Sequence, residues 1–291
     1  MAKLLSGVPV SEDLCRRIAR GVALLREQEV TPTLGIVRVG ARPADVSYER
    51  GATKRAQSLG VAVSRTLLPE NVSARELTGV LEEINGNSRI HGCLLFRPLP
   101  AHLNTPEVLG VLATEKDIDA MTGTSMGGLV FQGMAGFPPC TASACLELLR
   151  HYQVKLKGKN VVIVGTGVTV GMPTAILLMN QGATVSACNI YTDPARLREL
   201  CQGADIIISA AGKAGLIGRA HVHPGQVVVD VGVSPGADGK LHGDVDFESV
   251  EPIVDAITPV PGGVGAVTST VLSAHTVEAA LRAQGITETL L

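Results

Sequence analysis

A chain of 291 residues has room for about two domains, and its 45% apolar content supplies the material for buried cores. A net charge of -2, the absence of basic runs, and only three Tyr and four Phe with no Trp argue against nucleic acid as a partner. No apolar run approaches the ~20 residues of a membrane span, and the opening stretch Met1 to Gly7 lacks the long apolar core of a signal peptide. The expectation is a soluble, cytoplasmic protein with no membrane partner.

In chain order, apolar residues recur at helical spacing from Pro9 to Glu29 (Leu14, Ile18, Val22, Leu25), with Ser11 as the predicted N-cap. Thr33 to Val39 reads as a strand, and Gly40 to Pro43 turns the chain. Residues 46 to 58 form a second helical stretch carrying Tyr48 and Lys54, followed by a strand from Val61 to Leu67. Ser73-Ala-Arg-Glu76 is a capping box opening a helix to about Ile84. Ile90 to Phe96 is an apolar strand stopped by Arg97-Pro-Leu-Pro100. The glycine-rich segment Thr114 to Pro139 is predicted irregular, in keeping with a functional loop. Thr141 is placed as the cap of a helix ending near Tyr152.

The stretch Lys159 to Met179 is the most informative in the chain. Asn160 to Val164 is a β-branched run suited to a buried parallel strand. Glycines follow at 165, 167 and 171, then a helical pattern from Pro173 to Met179 and a second strand from Ala183 to Cys188. Strand, glycine turn, helix N-terminus and strand make a βαβ unit whose free N–H groups can face a pyrophosphate. Later strands are expected at Ala204–Ser209, Gln226–Val231 and Ile253–Ala256, and a final helix over about 267 to 283. Thr258-Pro-Val-Pro-Gly-Gly-Val-Gly265 is a second glycine-rich loop, stiffened by two prolines and suited to lie flat on a ligand. Alternating strands and helices predict an α/β protein with mainly parallel sheets.

Cysteines 15, 93, 140, 145, 188 and 201 show no CxxC spacing and read as reduced core residues. Cys140 is the exception, set in a Pro-Pro-Cys-Thr turn, although no His or Asp is locally paired with it as a nucleophile requires. His221 and His223 have no Cys or acidic cluster at ligand spacing, so no metal site is expected.

Taken together, several motifs resemble the methylenetetrahydrofolate dehydrogenase/cyclohydrolase family, almost end to end. They are Tyr48 eight residues after Gly40, Gly92 with Pro98-Leu-Pro100, Lys116-Asp-Ile-Asp119, Pro139-Cys-Thr141, the 165–173 loop, Gly243-Asp-Val-Asp246, and Thr258 to Gly265. The resemblance implies two α/β domains with a ligand cleft between them, the second a Rossmann-type dinucleotide-binding domain, assembled as a homodimer. Residues 1–145, completed by the C-terminal helix 267–291, would be the folate-binding catalytic domain, and 146–266 the cofactor domain. Tyr48 and Asp119 take the catalytic positions: the ring of Tyr48 against the flat folate, the Asp119 carboxylate against the pterin N–H donors. Ala52, Leu95, Phe96, Arg97 and the loop Pro261, Gly262, Gly263, Val264 and Gly265 complete the implied substrate contacts. Gly165, Thr166, Gly167, Val170, Gly171, Asn189, Ile190, Val233 and Thr268 are the implied cofactor contacts.

Three departures from the family pattern matter. The family lysine one helical turn after the tyrosine is Ala52 here, and Lys54, six residues from Tyr48, points elsewhere on a 3.6-residue helix. The glutamine that accompanies that lysine is Phe96. Hydride loss from the methylene carbon needs no protein base, whereas hydrolysis of the methenyl product needs water activated by one, and Arg97 stays protonated. The expectation is a dehydrogenase with weak or absent cyclohydrolase activity. Third, the positions where NADP-linked members carry Arg and Ser are Thr166 and Ile190, and no Arg or Lys other than Lys159 lies from 159 to 195. A 2′-phosphate would be poorly compensated there, which favours NAD over NADP. Two rivals stay open: a bifunctional enzyme in which Lys54 or another residue replaces the lysine, and a non-catalytic nucleotide-binding regulator.

Overall fold

The computed structural model describes residues 1–131, 136–236 and 239–291. The chain divides into two compact units, one of Met1–Ser11 with Thr141–Thr268, the other of Glu12–Cys140 with Ser269–Leu291. The elements in chain order begin β1 (Lys3–Leu4), α1 (Gly7–Glu27), β2 (Thr33–Val39), α2 (Pro43–Ser58), β3 (Ala62–Leu68), α3 (Ala74–Gly86) and β4 (Gly92–Leu95). Two short helices, α4 (Pro106–Leu109) and α5 (Gly123–Val130), precede α6 (Cys140–His151). Next come β5 (Asn160–Val164), α7 (Gly171–Asn180), β6 (Thr184–Cys188), α8 (Pro194–Gln202), β7 (Ile206–Ser209) and β8 (Val227–Asp230). The two-stranded pair β9 (Ser234–Pro235) and β10 (Leu241–His242), then α9 (Phe247–Val250), β11 (Ala256–Ile257) and α10 (Gly265–Ala283), complete the chain.

In the first unit, six strands form a sheet in the order β1-β11-β8-β7-β5-β6, each pair parallel. The chain runs from β5 outward to β6 and then returns to β7 on the other side of β5. That reversal is the topological switch point of a doubly wound sheet, where ligands bind beyond the strand ends. The apolar strands predicted this burial: Val161 to Val164 and Ile206 to Ile208 are all buried, and Val162, Val164 and Ile207 pack with Val228, Ile257 and Leu197 in one core. In the second unit, β2 lies between β3 and β4, all parallel. Leu77, Leu81 and Ile84 line the inner face of α3 and pack with Val37, Val39 and Leu95. The predicted capping box on α3 is present, Ser73 Oγ accepting from Glu76 N and the Glu76 carboxylate accepting from Ser73 N. Such a cap stabilises a helix by about 1 kcal/mol. Among the described residues no helix is long and apolar enough to cross a membrane.

Tertiary contacts move several predicted boundaries. Helix α1 starts at Gly7, so Ser11 is a buried helical residue and not the cap. The start is set by partners far along the chain: Leu5 N donates to Ile257 O and Gly7 N to Gly262 O. Helix α6 likewise opens at Cys140, leaving Thr141 inside it. Its first N–H is accepted by Asp119 Oδ1 at 2.8 Å, a cap from 21 residues upstream that a local pattern does not reveal. The segment predicted irregular contains α5, capped by Thr122 through Ser125 N; its residues 132–135 lie outside the described residues. Strand β11 occupies Ala256–Ile257 and not Ile253–Ala256, because Ala256 pairs with Val227 and Lys3, while Ile253 is turned back onto Val250 O.

Candidate active site

In the three-stranded unit, register places the chemistry. Cys93 on β4 bridges Asp117 in parallel, and Cys93 N donates to Lys116 O. Gly92 is required there, since a Cβ would stand 2.7 Å from the Ile118 side chain. The strand leading out of β4 therefore runs beside residues 117–119, and Arg97 meets Asp119. Arg97 Nη2 lies 3.6 Å from Asp119 Oδ2 and donates to Asp119 O at 3.3 Å. The preceding residue, Phe96, is buried and fixed by its N–H to Val37 O. Its ring stands edge-on to Tyr48, centroids 5.7 Å apart. Leu95 is buried in the core of this unit.

Tyr48 sits on α2 with 39% of its surface exposed, which leaves a ring face for a flat ligand. Burial of its hydroxyl, with Cys140 and Asp119 nearby, pushes its pKa above the ordinary tyrosine value. Ala52, one turn on, is 1% exposed, so that position presents a buried methyl. Lys54, two residues further on, faces a different set of side chains. It lines a cavity of about 480 Å³ with Arg38, Glu49, Arg50, Thr53 and Arg65, none of which belongs to the Tyr48–Asp119 group. Glu49 there is held by Arg38 at 2.6 Å.

Asp119 is pulled two ways. Burial raises its pKa, while the Cys140 N–H and Arg97 oppose the rise. The residues around it are pinned: both Asp117 oxygens accept backbone N–H groups, from Met121 and Thr122. Lys116 Nζ donates to the carbonyls of Ile84, Asn85 and Asn87, closing the end of α3. Cys140 has no nucleophilic character, because burial pushes its thiol well up and Sγ donates to Ile118 O at 3.3 Å. One residue that sequence patterning missed joins this group. His275 on α10 places Nδ1 2.9 Å from Ile118 O and 3.6 Å from Cys140 Sγ. It lies inside a helical apolar run, where the expected role for a histidine is packing.

In the six-stranded unit the 165–171 loop is made of backbone. Gly165 has φ 100°, and a Cβ on it would stand 2.3 Å from Ala210 O, at the end of the neighbouring strand β7. A Cβ on Gly171 would stand 1.7 Å from Gly165 O. Gly167 differs, with nothing within 4 Å of its Cβ position. Two glycines thus close the turn and the third leaves an open face. Helix α7 begins there with no side-chain cap at Val170; Met172 N donates to Gly167 O and Pro173 carries no N–H, which leaves Gly171 as the first-turn N–H facing the loop. This cradle fits a dinucleotide pyrophosphate. Thr166 is half-buried. Asn189 closes β6 in a turn, accepting from Tyr191 N and donating its own N–H to Thr192 Oγ1, while Ile190 and Tyr191 are about nine-tenths exposed. Val233 is exposed and Thr268 buried, its hydroxyl donating to Val264 O.

The loop 261–265 also lies in this unit. Gly262 has φ 102°, with the Pro259 ring in ordinary contact beside it, and Gly263 is held against Pro259 O. Gly7 braces it, since a Cβ there would meet Gly263 O at 2.1 Å. Among the described residues no group of three or more His, Cys, Asp or Glu is arranged to hold a metal.

Comparison with known proteins places these two regions in one family. Residues 5–119 match the tetrahydrofolate dehydrogenase/cyclohydrolase catalytic domain, and residues 139–284 match the NAD(P)-binding domain of the same family. A bifunctional protein FolD from Carboxydothermus hydrogenoformans is 44% identical, over 96% of this chain and 97% of its own. The crystal structure of the bifunctional enzyme FolD from Campylobacter jejuni superposes with a TM-score of 0.93 at 35% identity, covering 97% of this chain and 99% of that one. The Trypanosoma brucei methylenetetrahydrofolate dehydrogenase-cyclohydrolase, solved with NADP and an inhibitor, superposes at 0.91 with 33% identity, over 97% of this chain and 98% of that one. With two α/β units, a glycine cradle at a sheet switch point and matches along nearly its whole length, the chain belongs to the tetrahydrofolate dehydrogenase/cyclohydrolase family.

Proposed function

We propose that this protein oxidises 5,10-methylenetetrahydrofolate to 5,10-methenyltetrahydrofolate, with NAD preferred and cyclohydrolase activity weak or absent. The observation that supports the reading is the side-chain group Tyr48, Phe96, Arg97 and Asp119, an aromatic ring near a carboxyl group, with the buried methyl of Ala52 one turn after Tyr48. The half-exposed ring of Tyr48 offers a surface to a flat pterin, and Asp119 accepts from its N–H donors. By the family resemblance the glycine loop 261–265 would offer backbone groups to the substrate, and residues 165–171 with Thr166, Asn189, Ile190, Val233 and Thr268 would hold the dinucleotide. When bound, the nicotinamide supplies the hydride acceptor. Loss of that hydride from the methylene carbon leaves a cation shared by N5 and N10, so the protein's task is orientation and not proton removal.

Hydrolysis is the step for which this chain is poorly furnished. Tyr48 and Cys140 both hold their protons, and Arg97 stays charged. Ala52 offers nothing. The relatives named bifunctional favour the second reading, in which both activities persist. Water would then have to be activated by Asp119, whose pKa burial raises, or by a group from elsewhere. A homodimer is part of the proposal, since the family resemblance implies one.

The test is direct. Purified protein, methylene-tetrahydrofolate and either NAD or NADP are mixed and methenyl absorbance is followed; methenyl hydrolysis is then measured alone. Methenyl should accumulate, faster with NAD. Hydrolysis keeping pace with dehydrogenation sinks the single-activity reading, and no methenyl with either cofactor sinks the enzyme reading.

A further inference from the structure

The buried imidazole of His275 has no part in the chemistry above, yet it reaches the residue next to Asp119. Its surface is 1% exposed. Nδ1 lies 2.9 Å from Ile118 O, so that nitrogen carries the proton and donates. The Cys140 thiol, at 3.3 Å, is a second donor to the same carbonyl. The Cys140 backbone N–H then reaches forward to Asp119 Oδ1 at 2.8 Å. Two side chains, one of them 157 residues away, thus hold the peptide that carries Asp119, from behind and from the side.

Packing alone does not account for a histidine here. Its buried Nε2 has no partner among the described residues, a cost that an aliphatic side chain of similar size avoids. Phe137 lies against the ring at 5.0 Å and supplies no hydrogen bond in the ring plane. The segment being held is itself under tension: Ala120, directly after Asp119, has φ 47°, in the left-handed region that disfavours a Cβ. Without an anchor on the Ile118 carbonyl, the chain gains by relaxing that residue and turning the Asp119 side chain.

We propose that His275 is a positioning residue for the folate carboxyl site: with Cys140 it fixes the Ile118 carbonyl and thereby aims the Asp119 carboxyl at the N–H edge of the substrate ring. The inference rests on the proposed folate role of Asp119. His275→Leu removes the donor and keeps the bulk, and His275→Asn restores an N–H of similar reach. In full-length protein, Leu should raise the dissociation constant for tetrahydrofolate by about tenfold, the effect of one lost buried hydrogen bond. NAD affinity should stay within about twofold, and Asn should recover most of the loss. A structural role alone would weaken both ligands together and would not be rescued by Asn. The titration of the Asp119 carboxyl carbon, followed by ¹³C NMR without any ligand, is the second readout and should move in Leu and return in Asn. Wild-type protein that neither binds tetrahydrofolate nor makes methenyl product defeats the functional reading, while the Asp119 titration still decides the bracket. Unchanged folate affinity and an unmoved Asp119 titration in His275→Leu overturn the inference, as does Asn behaving like Leu.

Discussion

The two candidate ligand regions of this molecule are made of different materials. The 165–171 cradle is backbone, shaped by three glycines within one short window and by the neighbouring strand end at Ala210. The Tyr48–Asp119 group is side chain, assembled from α2, the end of β4, the 117–122 loop, α6 and α10. Backbone sites tolerate change around them and fail sharply at a few positions. Side-chain sites spread their contacts over several elements and can change one member and keep their outline.

The sharpest way to break that comparison is inside the cradle. Gly171→Val puts a branched side chain where even a Cβ would be 1.7 Å from Gly165 O. We expect cofactor binding lost beyond measurement, with a large fall in stability, since the carbonyl cannot move without opening the β5–α7 turn. Gly167→Ala is the control, because open space surrounds its Cβ position. Its unfolding midpoint should match wild type while NAD affinity falls about tenfold, a methyl standing where the pyrophosphate approaches. Equal stability losses in the two variants would mean that the glycines shape the fold and not a ligand site.

On the side-chain half, Asp119→Ala should raise the methylene-tetrahydrofolate KM by roughly ten- to a hundredfold with NAD affinity retained, a buried charged hydrogen bond being worth about 1.5–3 kcal/mol. It also strips the cap from α6, costing about 1 kcal/mol. Asp119→Asn separates the two effects, because an amide oxygen still accepts from Cys140 N. An Asn variant with normal folate KM would reduce Asp119 to a cap.

These two halves differ equally in how legible they were. The strand Asn160 to Val164, the glycines and the following helix are visible in one reading because all the contacts they need lie within a βαβ unit. The capping box at Ser73 and Glu76 is local for the same reason. The group around Asp119 was visible only as motif residues. Its assembly depends on Cys140 and His275, separated from their partners by 21 and 157 residues, and no periodicity encodes that pairing. The cap of α6 was misplaced on Thr141, and the start of α1 on Ser11, because in both cases the N–H partner or strand pairing comes from another part of the chain.

His275 also gives the side-chain half a pH signature. Burial pulls its pKa from 6.5 down to about 4, against the hydrogen bond to Ile118 and with a contribution from Arg282; Cys140, Phe137 and Arg282, itself paired with Glu278, surround the group. Since the unfolded chain takes the proton more readily, the stabilisation is complete above 6.5 and is lost as pH falls towards 4. Between about pH 7.5 and 4.5 that loss is on the order of 2–3 kcal/mol. Asp230, raised to about 6 by burial, runs the other way: its contribution is full below 3.8 and is lost as pH rises through 6. Urea unfolding at the two pH values should therefore show His275→Asn losing roughly 2–3 kcal/mol less than wild type. Parallel losses in both proteins would show that the imidazole is not held neutral by the fold.

The smallest predicted effect lies where the backbone cradle must borrow side chains, at the adenine ribose. The cation that sequence spacing overlooked is Arg196, in the first turn of α8 and near enough to Cys188 at the end of β6 to oppose, with Thr192, the rise that burial gives its thiol pKa. It is not free to receive a phosphate: its guanidinium pairs with Glu199 at 2.7 Å. Asp193, closer along the chain to Ile190, caps α8 through Ala195 and Arg196 N–H groups and presents a negative charge. A 2′-phosphate would meet that carboxylate before it met an unpaired cation, which works against NADP. Arg196→Ala should thus change the ratio of NAD to NADP turnover by less than about twofold, and Asp193→Asn should improve NADP by a few-fold at most. If Arg196→Ala cuts NADP turnover tenfold while sparing NAD, then Arg196 leaves Glu199 to grip the phosphate, and the cofactor preference inferred from Thr166 and Ile190 is reversed.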